Sequence, residues 1–285
     1  MTSDGPFIGS EAVNGGRLRP HQLRSRFRAV FPDVYVLRDQ QLTLRDRAVA
    51  AWLWSHRQGV LAGLTAAAWH GSKWVDEHLP VELVWSNARP PRGVRTYDVK
   101  LLPEEFQMVA GVPATTPERT AFDIGRRNAI GNAVAHLDAL MRATGVKVNE
   151  VLGMADQHRG ARGLRQLESA LELADPGSQS PKETWLRLLL VRAGLPRPTT
   201  QIPVITSGRE HVYYLDMGWE DVMVAVEYDG EHHRLDRWQY TRDIRRREAL
   251  DRLGWIVIRV TASDHQANII RRVRDALEFR ASSLR

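Results

Sequence analysis

The segment that most constrains the fold is an unbroken apolar run, Val222 to Val226, which ends in Glu227-Tyr228-Asp229. A strand that is covered on both faces is apolar at every position. The run therefore predicts a β-strand inside a layered α/β arrangement, with helices on both sides of the sheet. Carboxylates that directly follow such a strand are costly to bury unless a cation compensates their charge.

A polar segment rich in Pro, Gly and Ser, from Ala174 to Pro181, separates two patterns of elements. Before it the chain is mixed and mostly helical, with a few short strands, and residues 1–16 show no first helix. After it the pattern indicates one helix, three strands, a long helix, a strand and a final helix. We predict an α/β class, α+β overall, in three parts: a partial winged-helix-like segment (1–40), a mixed, mostly helical domain with a small sheet (41–174), and an α/β sandwich (175–285).

Composition excludes several classes of protein. The 285 residues are 43% hydrophobic and 26% charged, which is typical of a soluble globular protein. The chain has no Cys, which rules out disulfides, a thiol nucleophile and a cysteine zinc site. No apolar run approaches the about 18 residues of a membrane span, and the first residues lack the features of a signal peptide. We therefore expect a cytoplasmic protein without a membrane partner.

Three carboxylates are predicted to converge on one patch. Glu227 and Asp229 are two residues apart and point to the same face of their strand. If the preceding hairpin turns on Glu220-Asp221 alone, Asp216 lies opposite Ala225 and is the diagonal neighbour of Glu227, at ~7–8 Å. Like charges at this distance repel one another, and a divalent cation with a preference for oxygen ligands removes the penalty. The pattern predicts Mg²⁺, or Mn²⁺, at Asp216 and Glu227.

Imidazoles and guanidinium groups follow the carboxylates. His232 and His233 come directly after the strand, and the next helix carries a series of arginines that includes Arg242, Arg246 and Arg247. Carboxylates that bind a metal, together with arginines that bind phosphate, are typical of metal-assisted phosphodiester hydrolysis. The net charge of +6 is by itself weak evidence for nucleic-acid binding.

Residues 180–265 resemble the PD-(D/E)XK restriction-endonuclease-like superfamily, in particular bacterial domains related to the very-short-patch-repair (Vsr) endonucleases. The resemblance depends on an ordered series: Glu183, Asp216, Val226-Glu227-Tyr228-Asp229-Gly230 with His232 and His233, Asp243-x-x-Arg246-x-x-x-Leu250, and Gly254-Trp255-x-Val257-x-Arg259-Val260.

This resemblance implies a restriction-endonuclease-like α/β sandwich and assigns roles within it. Asp216 and Glu227 would ligate Mg²⁺, and Glu183 would support the site. Asp229 stands where the wider superfamily usually has Lys. His232 or His233 would be the general base or acid, and Arg246 or Arg247 would contact phosphate.

A second resemblance covers residues 17–140, which are similar to abortive-infection antitoxins of the AbiEi type. It depends on three segments: residues 18–24 with the strand at 33–36, Leu64 to Gly71, and Thr116 to Asp123. Such proteins join an N-terminal winged helix to a mixed α/β domain. Thr116-Pro117 also reads as the plain start of a helix.

Each candidate residue has a structural alternative. Ser180-Pro181-Lys182-Glu183 has the pattern of a helix capping box, which gives Glu183 a role without chemistry. Glu227 and Asp229 could end a strand at solvent, and the two histidines could form an exposed turn. The arginines alternate with acidic residues, as on a solvated, salt-bridged helix face.

Three functions remain open on the sequence alone. The first is a Mg²⁺-dependent DNA endonuclease, a hydrolase that cuts or nicks phosphodiester bonds. The second is a non-catalytic DNA-binding regulator of the antitoxin type that keeps a nuclease fold as a scaffold. The third is a protein-interaction module. The partner would be nucleic acid, most naturally DNA, with a toxin or repair protein as a further partner.

Overall fold

The computed structural model of the protein describes residues 5–87, 89–205, 212–230 and 237–283, and for residues 237–242 it describes the backbone alone. Helices and strands are mixed throughout, which confirms the predicted fold class. The chain divides into two compact units, Met1–Glu172 and Leu173–Arg285. We call them unit 1 and unit 2. The finer division into three domains stays a prediction.

Unit 1 begins with a helix pair and a β-hairpin. The elements are β1 (Phe7–Ile8), α1 (Gly9–Asn14), α2 (Pro20–Arg26), β2 (Phe27–Phe31) and β3 (Val34–Leu37), and the three strands form a sheet in the order β1-β3-β2. The expectation that residues 1–16 hold no helix was wrong. Helix α1 is held by a distant residue, because Gly9 N donates to Asp33 O at 2.8 Å and Ser10 N to Asp33 Oδ1 at 2.9 Å. A local pattern cannot reveal a cap that comes from 23 residues away.

A five-stranded sheet forms the centre of unit 1. The elements are α3 (Leu44–Trp54), β4 (Val60–Leu61), α4 (Gly63–Trp69), β5 (Val81–Val84), β6 (Val94–Tyr97), β7 (Phe106–Val109) and β8 (Val112–Thr115). The strand order is β6-β5-β4-β8-β7, and helices α3 and α4 pack against the sheet. The sequence pattern predicts strands at 80–85 and 93–101, which correspond to β5 and β6, and it misses the other three.

Four helices complete unit 1, and the starts that the sequence pattern predicts, at residues 117, 129, 147 and 164, are correct to within one residue. They are α5 (Pro117–Arg127), α6 (Ile130–Thr144), α7 (Val148–Gln157) and α8 (Leu164–Leu173). Thr116 caps α5, since its side chain accepts a hydrogen bond from Arg119 N at 3.3 Å, and Pro117 is the first helical residue. The plain structural role of Thr116-Pro117 is therefore confirmed.

Buried charges of unit 1 are compensated by arginine. Arg119 Nη1 donates to Glu105 Oε2 at 2.7 Å and Arg119 Nε donates to Asp123 Oδ2 at 3.1 Å, and all three side chains are buried. His158 contacts the other oxygen of Glu105. Burial alone would raise the pKa of Glu105, but the N–H of Leu102 together with His158 and Arg119 outweighs it and lowers this pKa.

Unit 2 is a four-stranded sheet with helices on both faces. Its elements are α9 (Pro181–Arg192), β9 (Thr199–Ile205), β10 (Val212–Trp219), β11 (Val224–Tyr228), α10 (Arg237–Arg252), β12 (Ile256–Val260) and α11 (Gln266–Ser283), and the sheet order is β12-β11-β10-β9. Val224 and Val226 pack against α9 and α11, whereas Ala225 packs with Leu250 of α10. The apolar run is therefore covered on both faces, as predicted.

The hairpin between β10 and β11 differs from the prediction. Strand β11 begins at Val224, so the loop has four residues, 220–223, and Trp219 pairs with Val224. Met223 adopts a left-handed backbone conformation with φ 51°, and its N–H donates to Glu220 O at 3.3 Å. Val222 and Met223 are apolar, which disguised them as part of the strand. The register is thereby shifted by two residues.

We expect Glu105→Gln to destabilise unit 1 by about 3 kcal/mol at pH 7, because it breaks a buried ion pair. The lowered pKa of Glu105 means that its contribution is present above pH ~4.3 and is lost as the pH falls through the folded-state value. Urea unfolding at pH 7 and pH 4 should show a smaller pH dependence for the variant than for the wild type. The exposed neighbour Glu104 is the control, since Glu104→Gln should change stability by less than about 0.5 kcal/mol.

Candidate functional site

The observed register brings two of the predicted carboxylates directly across from each other. Met217 pairs with Val226, so one further step places Asp216 opposite Glu227 rather than opposite Ala225. Asp216 Oδ2 accepts a hydrogen bond from Tyr228 N at 2.9 Å, which ties the side chain to β11. Asp216 is therefore held beside the residue that follows Glu227.

The alternation of side chains in β10 breaks at Asp216. Leu215 packs with Ala225 and Leu250, whereas Met217 packs in the cluster on the opposite face. In a regular strand these two residues would share a face. Gln201 lies at the matching position of β9 and has φ 53°, which marks a local irregularity in the ladder. Such irregularities re-aim single side chains and are common beside functional sites.

Glu227 is the most enclosed member of the site. It is only 7% exposed, and both of its oxygens accept hydrogen bonds from the guanidinium of Arg246 on α10. The cation that the sequence required after the apolar run is thus supplied by the protein itself. Arg246 was predicted to contact phosphate, and in the structure its guanidinium is engaged by Glu227 and by the carbonyl of Tyr214.

Asp216 forms no ion pair with any cation among the described residues, and its acidity is weakened accordingly. Burial is the main reason why its pKa rises to about 7, and the nearby charges of Glu183 and Glu227 raise it further. The N–H of Tyr228 and the charge of Arg246 act in the opposite direction but do not cancel these effects. Asp216 therefore exchanges its proton near neutral pH.

Glu183 forms a variant of the capping box that was its structural alternative, because its carboxylate accepts from the N–H of Gln179, the residue before the cap, rather than from the N–H of Ser180. Its backbone N donates to Ser180 Oγ at 3.2 Å, and its carboxylate accepts from Ser180 Oγ at 2.9 Å and from Gln179 N at 2.7 Å. Glu183 is also near enough to Asp216 to affect its pKa. The residue thus starts α9 and adds negative charge to the site.

Asp216 and Glu227 line an open pocket of about 260 Å³ together with further charged residues. Its lining consists of Asp216, Glu227, Tyr228, Asp229, Asp243, Arg246 and Arg259. The sequence had not assigned Asp243 or Arg259 to the site. A signal for Arg259 existed, because β11 and β12 are parallel and Arg259 is the register partner of Glu227. Asp243 lies three residues before Arg246 on α10 and so shares its helix face.

For several predicted site residues the structure gives no side-chain contacts in the site. His232 and His233 lie outside the described residues, and only the backbone of Arg242 is described. Arg247 is exposed on α10. Among the described residues, no three His, Asp or Glu side chains are grouped so that they could hold a metal ion. The catalytic and metal roles therefore stay predictions.

A second candidate surface lies on the helix pair of unit 1. Arg19, Arg24 and Arg26 lie on or beside α2, are exposed, and form no ion pair with any described residue. Behind them Arg38 donates to the carbonyls of residues 24 and 25, at 2.6 and 3.3 Å, and so fixes the end of α2 against the hairpin. Two short helices precede a two-stranded hairpin along the chain, which is the order that the predicted winged-helix-like segment requires, and that assignment stays a prediction.

Comparison with known proteins supports one of the two resemblances. Residues 57–173 match the sequence family described as AbiEi antitoxin C-terminal domain. Two proteins of Mycobacterium tuberculosis, Uncharacterized protein MT2308 of strain CDC 1551 / Oshkosh and Uncharacterized protein Rv2248 of strain ATCC 25618 / H37Rv, are each 27% identical over 254 residues, which is 89% of this chain and 89% of each relative. No solved structure matches the chain.

These comparisons confirm the antitoxin resemblance over residues 57–140, where the predicted and the matched ranges overlap. None of them supports the resemblance to PD-(D/E)XK enzymes, which stays a prediction. In the part of the chain that the structure describes, no helix is both long and apolar enough to cross a bilayer.

We expect Asp216→Asn to stabilise unit 2 above pH 7. The folded-state pKa of about 7 exceeds the unfolded value, so the contribution of Asp216 is fully present below pH ~4 and is lost as the pH rises towards 7. The gain at pH 8 should be a few kcal/mol at most, since one unit of pKa is worth ~1.4 kcal/mol.

Thermal unfolding of the wild type and of Asp216→Asn at pH 5 and pH 8 measures this difference. The exposed Asp251→Asn on α10 serves as the control variant. An equal effect of Asp216→Asn at both pH values would contradict the assignment.

Proposed function

We propose that the protein is a non-catalytic DNA-binding regulator of the antitoxin type, with α2 as the element that contacts DNA. The observation that carries the proposal is the trio of exposed arginines on and beside α2, Arg19, Arg24 and Arg26, which form no ion pair with any described residue. Helix α2 stands in the position of a recognition helix, between α1 and the hairpin of β2 and β3. The match of residues 57–173 to an antitoxin family supports the regulatory role.

The charge around α2 suits a phosphate backbone. Residues 12–32 contain no Asp or Glu, whereas five arginines fall within them. Guanidinium groups bind phosphate oxygens with two parallel hydrogen bonds, and this interaction supplies affinity that falls steeply with salt. By the same proposal, a cognate toxin is the regulatory partner.

Unit 2 is, in this proposal, a nuclease-like scaffold. The order helix, three strands, helix, strand, helix and the carboxylates carried by β10 and β11 support a restriction-endonuclease-like ancestry. The Mg²⁺-dependent endonuclease remains the competing prediction. It requires cleavage or nicking of plasmid DNA in Mg²⁺ or Mn²⁺ that Asp216→Ala and Glu227→Ala both abolish.

DNA binding through α2 predicts a strong effect of removing two of its charges. We expect the double variant Arg24→Gln/Arg26→Gln to bind a 30-base-pair duplex at least tenfold more weakly in 100 mM salt. The slope of log affinity against log salt should fall by about 2, because two phosphate contacts are lost.

Fluorescence anisotropy with random-sequence DNA and with DNA from upstream of the coding sequence measures both effects. Arg159→Gln is the matched control, because this arginine is 83% exposed and lies on a different part of unit 1. Unchanged affinity of the double variant, or an equal loss in the control, would refute the role of α2.

A further inference from the structure

The carboxylate of Glu227 is covered by a cation that belongs to the chain. Arg246 Nη1 donates to Oε2 at 3.1 Å and Nη2 donates to Oε1, which is the bidentate geometry of a strong pair. Nη2 also donates to Tyr214 O at 2.8 Å. The guanidinium is therefore held to β10 and β11 at the same time.

The position of Arg246 follows from the packing of α10 on the sheet. Leu250 of α10 packs with Ala225 of β11. Arg246 lies one helical turn before Leu250, and Glu227 lies two residues after Ala225 on the same face of its strand. One helical turn is ~5.4 Å and two strand residues span ~6.6 Å, so the contact that buries Leu250 also brings Arg246 over Glu227.

The side chains as arranged do not fit a divalent metal. Mg²⁺ requires open oxygen ligands in a nearly octahedral arrangement. Both oxygens of Glu227 are taken by Arg246, both oxygens of Glu183 accept hydrogen bonds in its capping box, and Asp216 Oδ2 accepts from Tyr228. Only rearrangement of Arg246 would free the ligand that the sequence placed at the centre of the metal site.

We infer that Arg246 is the resident cation of this carboxylate site and occupies the role that the sequence assigned to Mg²⁺. It neutralises Glu227, it holds two strands together, and it leaves Asp229 and Arg259 facing the open pocket. When Arg246 is absent, Asp216, Glu227 and Asp229 share one pocket without their main counter-charge. A hard divalent cation then becomes their natural substitute. The inference does not depend on DNA binding by α2.

The test is the response of full-length protein to Mn²⁺ in thermal unfolding. In 5 mM MnCl₂, compared with NaCl of the same ionic strength, we expect the midpoint of the wild type to stay within about 1 °C. The midpoint of Arg246→Gln should rise by about 3–5 °C, as for a ligand present above its dissociation constant. Arg245→Gln, which removes an exposed charge from the same helix, should behave like the wild type.

The double variant Glu227→Gln/Arg246→Gln separates the role of the ion pair from general damage. It should unfold at a higher temperature than Arg246→Gln and should not respond to Mn²⁺, because the carboxylate that lost its guanidinium partner has been removed as well. If Arg246→Gln does not fold, folding of the double variant supports the inference and its failure to fold overturns it.

Two results would overturn the inference. A rise in the wild-type midpoint with Mn²⁺ that Glu227→Gln abolishes would show that a metal displaces Arg246. The absence of any rise in a folded Arg246→Gln variant would show that the site does not accept a metal in place of the guanidinium. The DNA-binding proposal is tested separately, by the anisotropy measurements on the α2 variants, and either proposal can fail without the other.

Discussion

A buried carboxylate is costly unless a positive charge compensates it, and in both units an arginine supplies that charge. In unit 1 Arg119 lies between Glu105 and Asp123, and in unit 2 Arg246 covers Glu227. Each arginine joins a helix to another part of its unit. Replacing both partners of such a pair with apolar residues changes the stability of the fold little. Removing only one partner destabilises the fold strongly, because it leaves a buried charge uncompensated. These pairs therefore specify which helix face meets which neighbour.

The preference for arginine over lysine has a structural explanation in many places. Lysine occurs at only four positions, 73, 100, 147 and 182. Arg28 and Arg38 donate to carbonyls around the first hairpin, and Arg272 donates to Arg259 O at 2.8 Å. A planar fork with five donors can anchor backbone carbonyls in this way, whereas an ammonium group is a single point of charge. Many of the arginines thus hold backbone carbonyls inside the protein, so the basic composition alone does not indicate nucleic-acid binding. The exposed arginines of α2, which form no ion pair with described residues, are stronger evidence for it than the net charge.

The sequence predicted what depends on local pattern and missed what depends on distant contacts. The starts of α5 to α8 and the order of elements in unit 2 follow from periodicity and from caps such as Thr116. The loop at 220–223 was missed because Val222 and Met223 continue the apolar run. At the candidate site, the sequence brought Asp216, Glu227 and Asp229 to one pocket. It could not show that Arg246 would meet Glu227, since that contact is set by the packing of α10 on the sheet.

The link between Asp33 and the start of α1 has a consequence for how this segment would meet another molecule. Asp33 is in the turn between β2 and β3, and it accepts hydrogen bonds from the first residues of the helix. Because these hydrogen bonds join the hairpin to α1, the two elements are held together as one body. The segment formed by α1, α2 and the hairpin is therefore ordered before it meets a partner. A segment that is already ordered loses little conformational entropy when it binds. Most of the electrostatic attraction to a charged partner then contributes to the binding free energy.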